Sequence, residues 1–273
     1  MSAPVLFALI YLLFFLSGAA ALVYQLVWVR SLTLIFGGSH LAVTAVLSIF
    51  MAGLAIGGYV IGRRVDRVER PLRLYGLLEL GIAASALVFA GLVKVYPSIY
   101  VALAQGRDDS PFYLSAVRMA FSVLALIVPT VLMGGTLPVL SRFVTGQPTQ
   151  LRSHLSFLYG FNTLGAVLGS LAAGFYLLRV FSVSTTLYVA VATNVVIGLL
   201  SLVLQRRVGA FPVPAPPAPH ADRLVADPAA RREASLPLRL VLWGIGLSGF
   251  CALGYEVLWT RVLTIAIGAS VYG

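Results

Sequence analysis

Apolar residues run along this chain in long blocks separated by short clusters of arginine, the pattern of helices that cross a lipid bilayer, each of which takes about 20 mainly apolar residues. Six such blocks cover roughly residues 4–28, 41–62, 74–96, 116–140, 155–178 and 183–204, and a seventh covers 238–260 after a long polar gap. The first has no Lys or Arg ahead of it and no small-residue cleavage pattern, so it reads as a retained span and not as a secretory signal. The chain stops at Gly273, where an eighth span would begin, so the expectation is an N-terminal fragment of a longer protein.

Composition agrees with the pattern. Of 273 residues 60% are apolar and 10% charged, too few charges to cover a soluble globule. The formal charge of +10 would suggest nucleic acid in a soluble protein, but the basic residues lie between spans, which is a topology signal and argues against nucleic acid as a partner. Thirteen of the 19 basic residues fall in the second-to-third, fourth-to-fifth and sixth-to-seventh connections, including Arg63, Arg64, Arg67, Arg70 and Arg73 in the first of these. The positive-inside rule therefore predicts a multi-pass protein of the cell (inner) membrane with a cytoplasmic N-terminus. Cys251, the one cysteine, excludes a disulfide framework or a thiolate metal cluster.

Three regions follow: a six-helix transmembrane half over 1–204, a Pro/Ala/Arg-rich cytoplasmic linker over 205–237, expected to be extended and disordered, and the first helix of a second, truncated half over 238–273. On the opposite face, Tyr96 to Ser115 reads as an external loop with Asp108, Asp109 and Pro111. The division is supported by an internal repeat. Leu16–Ala42 aligns without gaps on Leu247–Gly273 with 12 of 27 positions identical, and the matches include Tyr24/Tyr255, Trp28/Trp259, Arg30/Arg261 and Gly37/Gly268. Both copies start from the same side, so the halves would be parallel repeats, as in six-plus-six transporters. The fold class expected is an all-α membrane protein, a polytopic helical bundle, major-facilitator-like, with a six-helix first half plus the start of a parallel second repeat.

Charged side chains inside a span are expensive, about 2.5–3.5 kcal/mol each on insertion scales, and each asks for a reason. Glu79 lies six residues past Arg73, about 9 Å along segment three. It reads either as a proton or cation site or, more ordinarily, as a carboxylate paired with a loop arginine. Tyr24, Gln25, Trp28 and Arg30 near the external end of segment one are repeated as Tyr255, Glu256, Trp259 and Arg261. An aromatic and snorkelling-arginine belt explains Trp28 and Arg30. Glu256 gains nothing from such a belt, and with Tyr255 and Trp259 it forms a candidate site for an organic cation, held by charge and π-face together. Asn162 and Asn194 suit interhelical hydrogen bonds, with contact to a substrate as the alternative.

Gly53/Gly57 and Gly58/Gly62 on segment two, and Gly165/Gly169 on segment five, have the four-residue spacing that lets helices approach closely. Pro129, Gly134, Gly135 and Pro138 predict a kinked or broken fourth span, lining a cavity or merely fitting the bundle. Gly244, Gly246 and Gly249 match a dinucleotide fingerprint letter by letter, but inside a span with no preceding strand the match is rejected. His40, His154 and His220 have no metal-ligand spacing, so neither a metal nor another cofactor is expected.

Gly62-Arg-Arg-Val-Asp66-Arg67-Val-Glu69-Arg70 resembles the Gly-x-x-x-Asp-Arg-x-x-Arg signature of major facilitator transporters, with Glu69 where that signature usually has Gly. The resemblance implies a conformational latch built on Asp66, Arg67 and Arg70. Leu16–Arg30, its copy Leu247–Arg261, Pro129–Pro138 and Tyr159–Gly169 together resemble the membrane portion of bacterial spermidine synthase-like fusion proteins. In that family a major-facilitator-like helical region precedes a soluble Rossmann-type aminopropyltransferase domain. The resemblance implies a bundle that moves or senses a small cation such as a polyamine, or tethers a C-terminal synthase domain to the bilayer. Any transferase activity would belong to that further domain, and no catalytic residue carries over to these positions. A fragment of a free-standing major-facilitator-type secondary transporter is the alternative, and a purely structural anchor a third reading.

Overall fold

A computed structural model of the chain describes residues 3–36, 39–105, 111–145, 151–209 and 228–267, and among these no strand occurs. Eight α-helical segments follow in order: α1 Ala3–Phe36, α2 Ser39–Gly62, α3 Pro71–Ala104, α4 Pro111–Thr145, α5 Leu151–Leu171, the short α6 Leu178–Val180, α7 Val183–Val208 and α8 Pro228–Ile267. A 3-10 turn, Val65–Arg67, links α2 to α3, and a π-helical turn, Ala172–Leu177, joins α5 to α6. Among the described residues seven spans are long and apolar enough to cross a membrane, Pro4–Phe36, Leu41–Gly62, Pro71–Leu103, Phe112–Val144, His154–Val180, Val183–Val208 and Leu240–Leu263. The chain is thus a multi-pass helical membrane protein. Several helices outrun the apolar blocks. At 1.5 Å per residue the 34 residues of α3 reach about 50 Å, well beyond a hydrocarbon core of about 30 Å.

The chain divides into two units, Met1–Val213 and Pro214–Gly273. In the first, the broadest helix contacts are α2 with α4, α1 with α5, α3 with α7 and α3 with α4, and α1 also meets α7 and α2. Gly53/Gly57 and Gly165/Gly169 do close these contacts, whereas Gly58 and Gly62 meet α4 only at ordinary contact distance. A Cβ on Gly57 would fall on the Val131 carbonyl oxygen of α4, and one on Gly165 would fall on the Phe15 carbonyl oxygen of α1. In a bilayer such close backbone approach supplies the dispersion contacts that hydrophobic burial supplies in water.

Three expectations are corrected here. Of the kinked or broken fourth span expected, the break does not occur: α4 runs through Pro129 and Pro138 as one helix of 35 residues. The irregularity falls instead in the fifth span, at Ala172–Leu177. The stretch 205–237 is also not extended throughout, because α7 continues to Val208 and α8 begins at Pro228, residues 210–227 and with them His220 lying outside the described residues. The loop expected over Tyr96–Ser115 is mostly helix, since α3 runs to Ala104 and α4 begins at Pro111; Asp108 and Asp109 between them and the last repeat positions, 268–273, lie outside the described residues. In the second unit, α8 carries the second copy of the repeat as helix from Leu247 to Ile267, matching the helical Leu16–Phe36 of α1.

Apolar side chains of the first unit fill two clusters. One gathers Tyr24, Trp28, Phe50, Ile82, Ala86, Phe89, Leu126 and Val191, and the other Ile10, Phe14, Leu72, Tyr75, Leu140, Phe143, Ile197 and Leu204. Along α1, α3 and α7 the change from one to the other falls between Phe14 and Ala20, between Leu78 and Ile82, and between Val191 and Ile197.

Candidate functional site

Polar side chains occupy that boundary. Ser17 of α1, Glu79 of α3 and Asn194 of α7 are all buried, Glu79 completely. Their shared height follows from the helix register. Gly76 of α3 packs against the Gly198 carbonyl of the antiparallel α7, so three residues up α3 and four back along α7 bring Glu79 and Asn194 level. Ser17 Oγ donates a hydrogen bond of 2.6 Å to Glu79 Oε1. One turn before Glu79, the buried Tyr75 hydroxyl lies beside the carboxyl and donates to the Leu13 carbonyl at 3.4 Å.

The loop-arginine pairing expected for Glu79 is replaced by this hydroxyl contact, reached through 62 residues of sequence. Glu79 Oε2, Asn194 Oδ1, Tyr24 Oη and Trp28 Nε1 are buried without a hydrogen-bond partner among the described residues. Buried polar atoms are paired in most proteins, and unpaired ones mark strain or function. These four fall on α1, α3 and α7, the helices that supply Ser17, Glu79 and Asn194. Tyr24 lies within electrostatic range of Glu79.

Tyr24 and Trp28 do not form an interfacial belt. Both are fully buried and stack with ring centroids 5.6 Å apart, and Trp28 also meets Phe50 and Phe89. Their faces belong to the cluster directly above the polar layer, whereas Arg30, at the end of the same motif, is exposed. Gln25 is half-buried on the neighbouring face of α1. Asn162 makes the interhelical bond expected of it: Nδ2 donates to the Phe14 carbonyl of α1 at 3.0 Å. Tyr11 reinforces the same α1–α5 seam with a 2.5 Å contact between its hydroxyl and His154 Nδ1, and Phe7 stacks on that imidazole at 4.6 Å. Replacing Asn162 by Ala is expected to lower stability in detergent by about 0.5–2 kcal/mol, read from the thermal midpoint, the usual range for an interhelical hydrogen bond in a membrane protein.

The second candidate group lies in the second unit, where Tyr255, Glu256 and Trp259 are exposed along one side of α8. Asp66 and Arg67 are exposed on the 3-10 turn, and Arg70 immediately precedes α3. These three residues therefore sit at the arginine-rich end of the first unit, apart from the polar layer. Among the described residues no group of three His, Cys, Asp or Glu side chains is placed to hold a metal ion.

Sequence reading missed Ser17, Tyr75 and Gln205. Gln205, buried near the end of α7, accepts from the Arg73 N–H at 3.2 Å through Oε1 and donates to the Gly209 carbonyl through Nε2. A glutamine in the last turn before an arginine pair could have drawn notice, but a serine inside an apolar span carries no signal of its partner. The chain matches no protein-family model, no curated protein and no solved structure.

Proposed function

We propose that this chain is the membrane-embedded, transporter-like part of a larger protein, and that its polar layer binds a proton or small cation at Glu79. The observation that carries the reading is the complete burial of Glu79 with only hydroxyl company. An ionisable group inside a membrane bundle is retained at a cost of several kcal/mol and commonly marks an ion or substrate path. The carboxylate, the Ser17 and Tyr75 hydroxyls and the Asn194 amide oxygen form a set of hard oxygen donors, suited to a proton, an alkali cation or an ammonium group. The aromatic faces of Tyr24 and Trp28 above it would favour an organic cation further.

The arrangement is read as the first half of a major-facilitator-like bundle, with α8 opening a parallel second half and the arginine-rich end facing the cytoplasm. The motif resemblance to spermidine synthase-like proteins makes polyamines the first substrates to try. It also makes an aminopropyltransferase domain the expected C-terminal partner. The test is uptake of labelled spermidine and putrescine by vesicles carrying the intact protein. Saturable uptake that falls at least about tenfold in Glu79→Gln supports the reading. The same assay on Glu256→Gln reports whether the second half contributes a carboxylate of its own. Absence of saturable uptake and binding would favour a membrane anchor.

A further inference from the structure

A different part of the first unit carries a second site. At its arginine-rich end a cavity of about 540 Å³ opens between the start of α3 and the end of α7, lined by Arg70, Arg73, Arg206, Gln205, Leu77 and Leu202, with Gly209 at its edge. Three arginines line this space, Arg70 just ahead of α3, Arg73 in its first turn and Arg206 on α7, and among the described residues no carboxylate lines it. The wall between them is built: Gln205 ties the Arg73 backbone to the α7 terminus, and Gly209 ends α7 at a φ of 80°, which glycine adopts without strain. Leu77 lies four residues into α3 from Arg73, and Leu202 four residues back along α7 from Arg206, so the lining changes from cationic to apolar about one turn into the span.

We propose that this cavity binds the phosphate of an anionic lipid headgroup from the adjoining leaflet, the three arginines holding the phosphate and Leu77 and Leu202 the start of an acyl chain. The arginine fork suits phosphate oxygens, and basic pockets between spans are where anionic headgroups lodge. A soluble phosphate would leave the leucine side unused, and this favours the lipid source. A smaller cavity of about 320 Å³, lined by Tyr59, Val60, Arg63, Arg64 and Arg67, is the natural comparison. Its Arg63 is already engaged, donating to the Tyr59 hydroxyl at 2.6 Å. The site is independent of any cation chemistry at Glu79.

The experiment uses the full chain in detergent micelles, titrated with phosphatidylglycerol, phosphatidylcholine or inorganic phosphate. Bound lipid is counted by native mass spectrometry, and the thermal midpoint is followed in parallel. Phosphatidylglycerol should bind in preference to phosphatidylcholine, and R73Q and R206Q should each weaken it roughly fivefold, the scale of one arginine beside an anionic headgroup. R73K/R206K should keep most of the binding, and R63Q/R64Q all of it. Saturable binding of inorganic phosphate that blocks the lipid equally well would overturn the lipid assignment in favour of a soluble phosphoryl ligand. Lipid binding indifferent to R73Q and R206Q in folded protein, or lost in R63Q/R64Q instead, would overturn the site.

Discussion

Glu79→Leu is expected to abolish saturable cation uptake while leaving the first unit at least as stable as the parent in detergent. The reason lies in the asymmetry of buried polar groups. A carboxyl with one oxygen bonded to Ser17 and the other unpartnered contributes little net stability, and an apolar side chain of similar volume spares its desolvation. Removing Ser17 has the opposite result. Ser17→Ala deprives Oε1 of its donor while the carboxyl stays buried, at a cost of about 1–3 kcal/mol. The double variant Ser17→Ala/Glu79→Leu should recover most of that loss, since neither partner is then left alone. Thermal midpoints of the four proteins form a double-mutant cycle. Additive values across the cycle would show that the two side chains are not coupled. Uptake retained in Glu79→Leu would remove the carboxylate from the transport path.

Gly57→Ala is expected to be among the most damaging single-methyl changes in the first unit. Its new Cβ would fall on the Val131 backbone oxygen, and a backbone cannot step aside as a side-chain end can. Overpacking of this kind costs about 1–3 kcal/mol. Gly91→Ala is the matching control, because nothing lies within 4 Å of its added Cβ. There the exchange removes a flexible residue from the interior of α3 and should gain about 0.5–1 kcal/mol. The two midpoints should therefore move in opposite directions from the parent, and a shared direction would mean that α2 and α4 are not held by close contact at Gly57.

Most of the architecture was legible because a span announces itself by length and composition alone. The close-packing faces of α2 and α5 were legible too, since the glycine spacings mark where backbones can approach, but their partners α4 and α1 were not. What escaped was the orientation of each helix about its own axis. In α1 apolar residues surround the helix on all sides, so nothing in the pattern tells that Tyr24 and Trp28 point inward and Arg30 outward. The belt expectation followed from their nearness to the end of an apolar block, whereas α1 continues to Phe36 and carries both aromatics into the interior. The partner of Glu79 escaped for another reason. Proximity in sequence favoured the arginines of the adjoining loop, but the contact that forms is set by the packing of α1 on α3. The π-helical turn at Ala172–Leu177 leaves no compositional trace, while the prolines that suggested a break in α4 are accommodated within one continuous helix.

The two apolar clusters on either side of Glu79 have an electrical consequence. They act as two insulators in series with the buried Glu79 carboxyl between them. Moving a bare ion through either would cost tens of kcal/mol by Born solvation. Held in this arrangement the first unit is an open circuit: planar-bilayer recordings should show no steady current through it, and any cation bound at Glu79 would cross in discrete steps, one barrier yielding while the other stays shut.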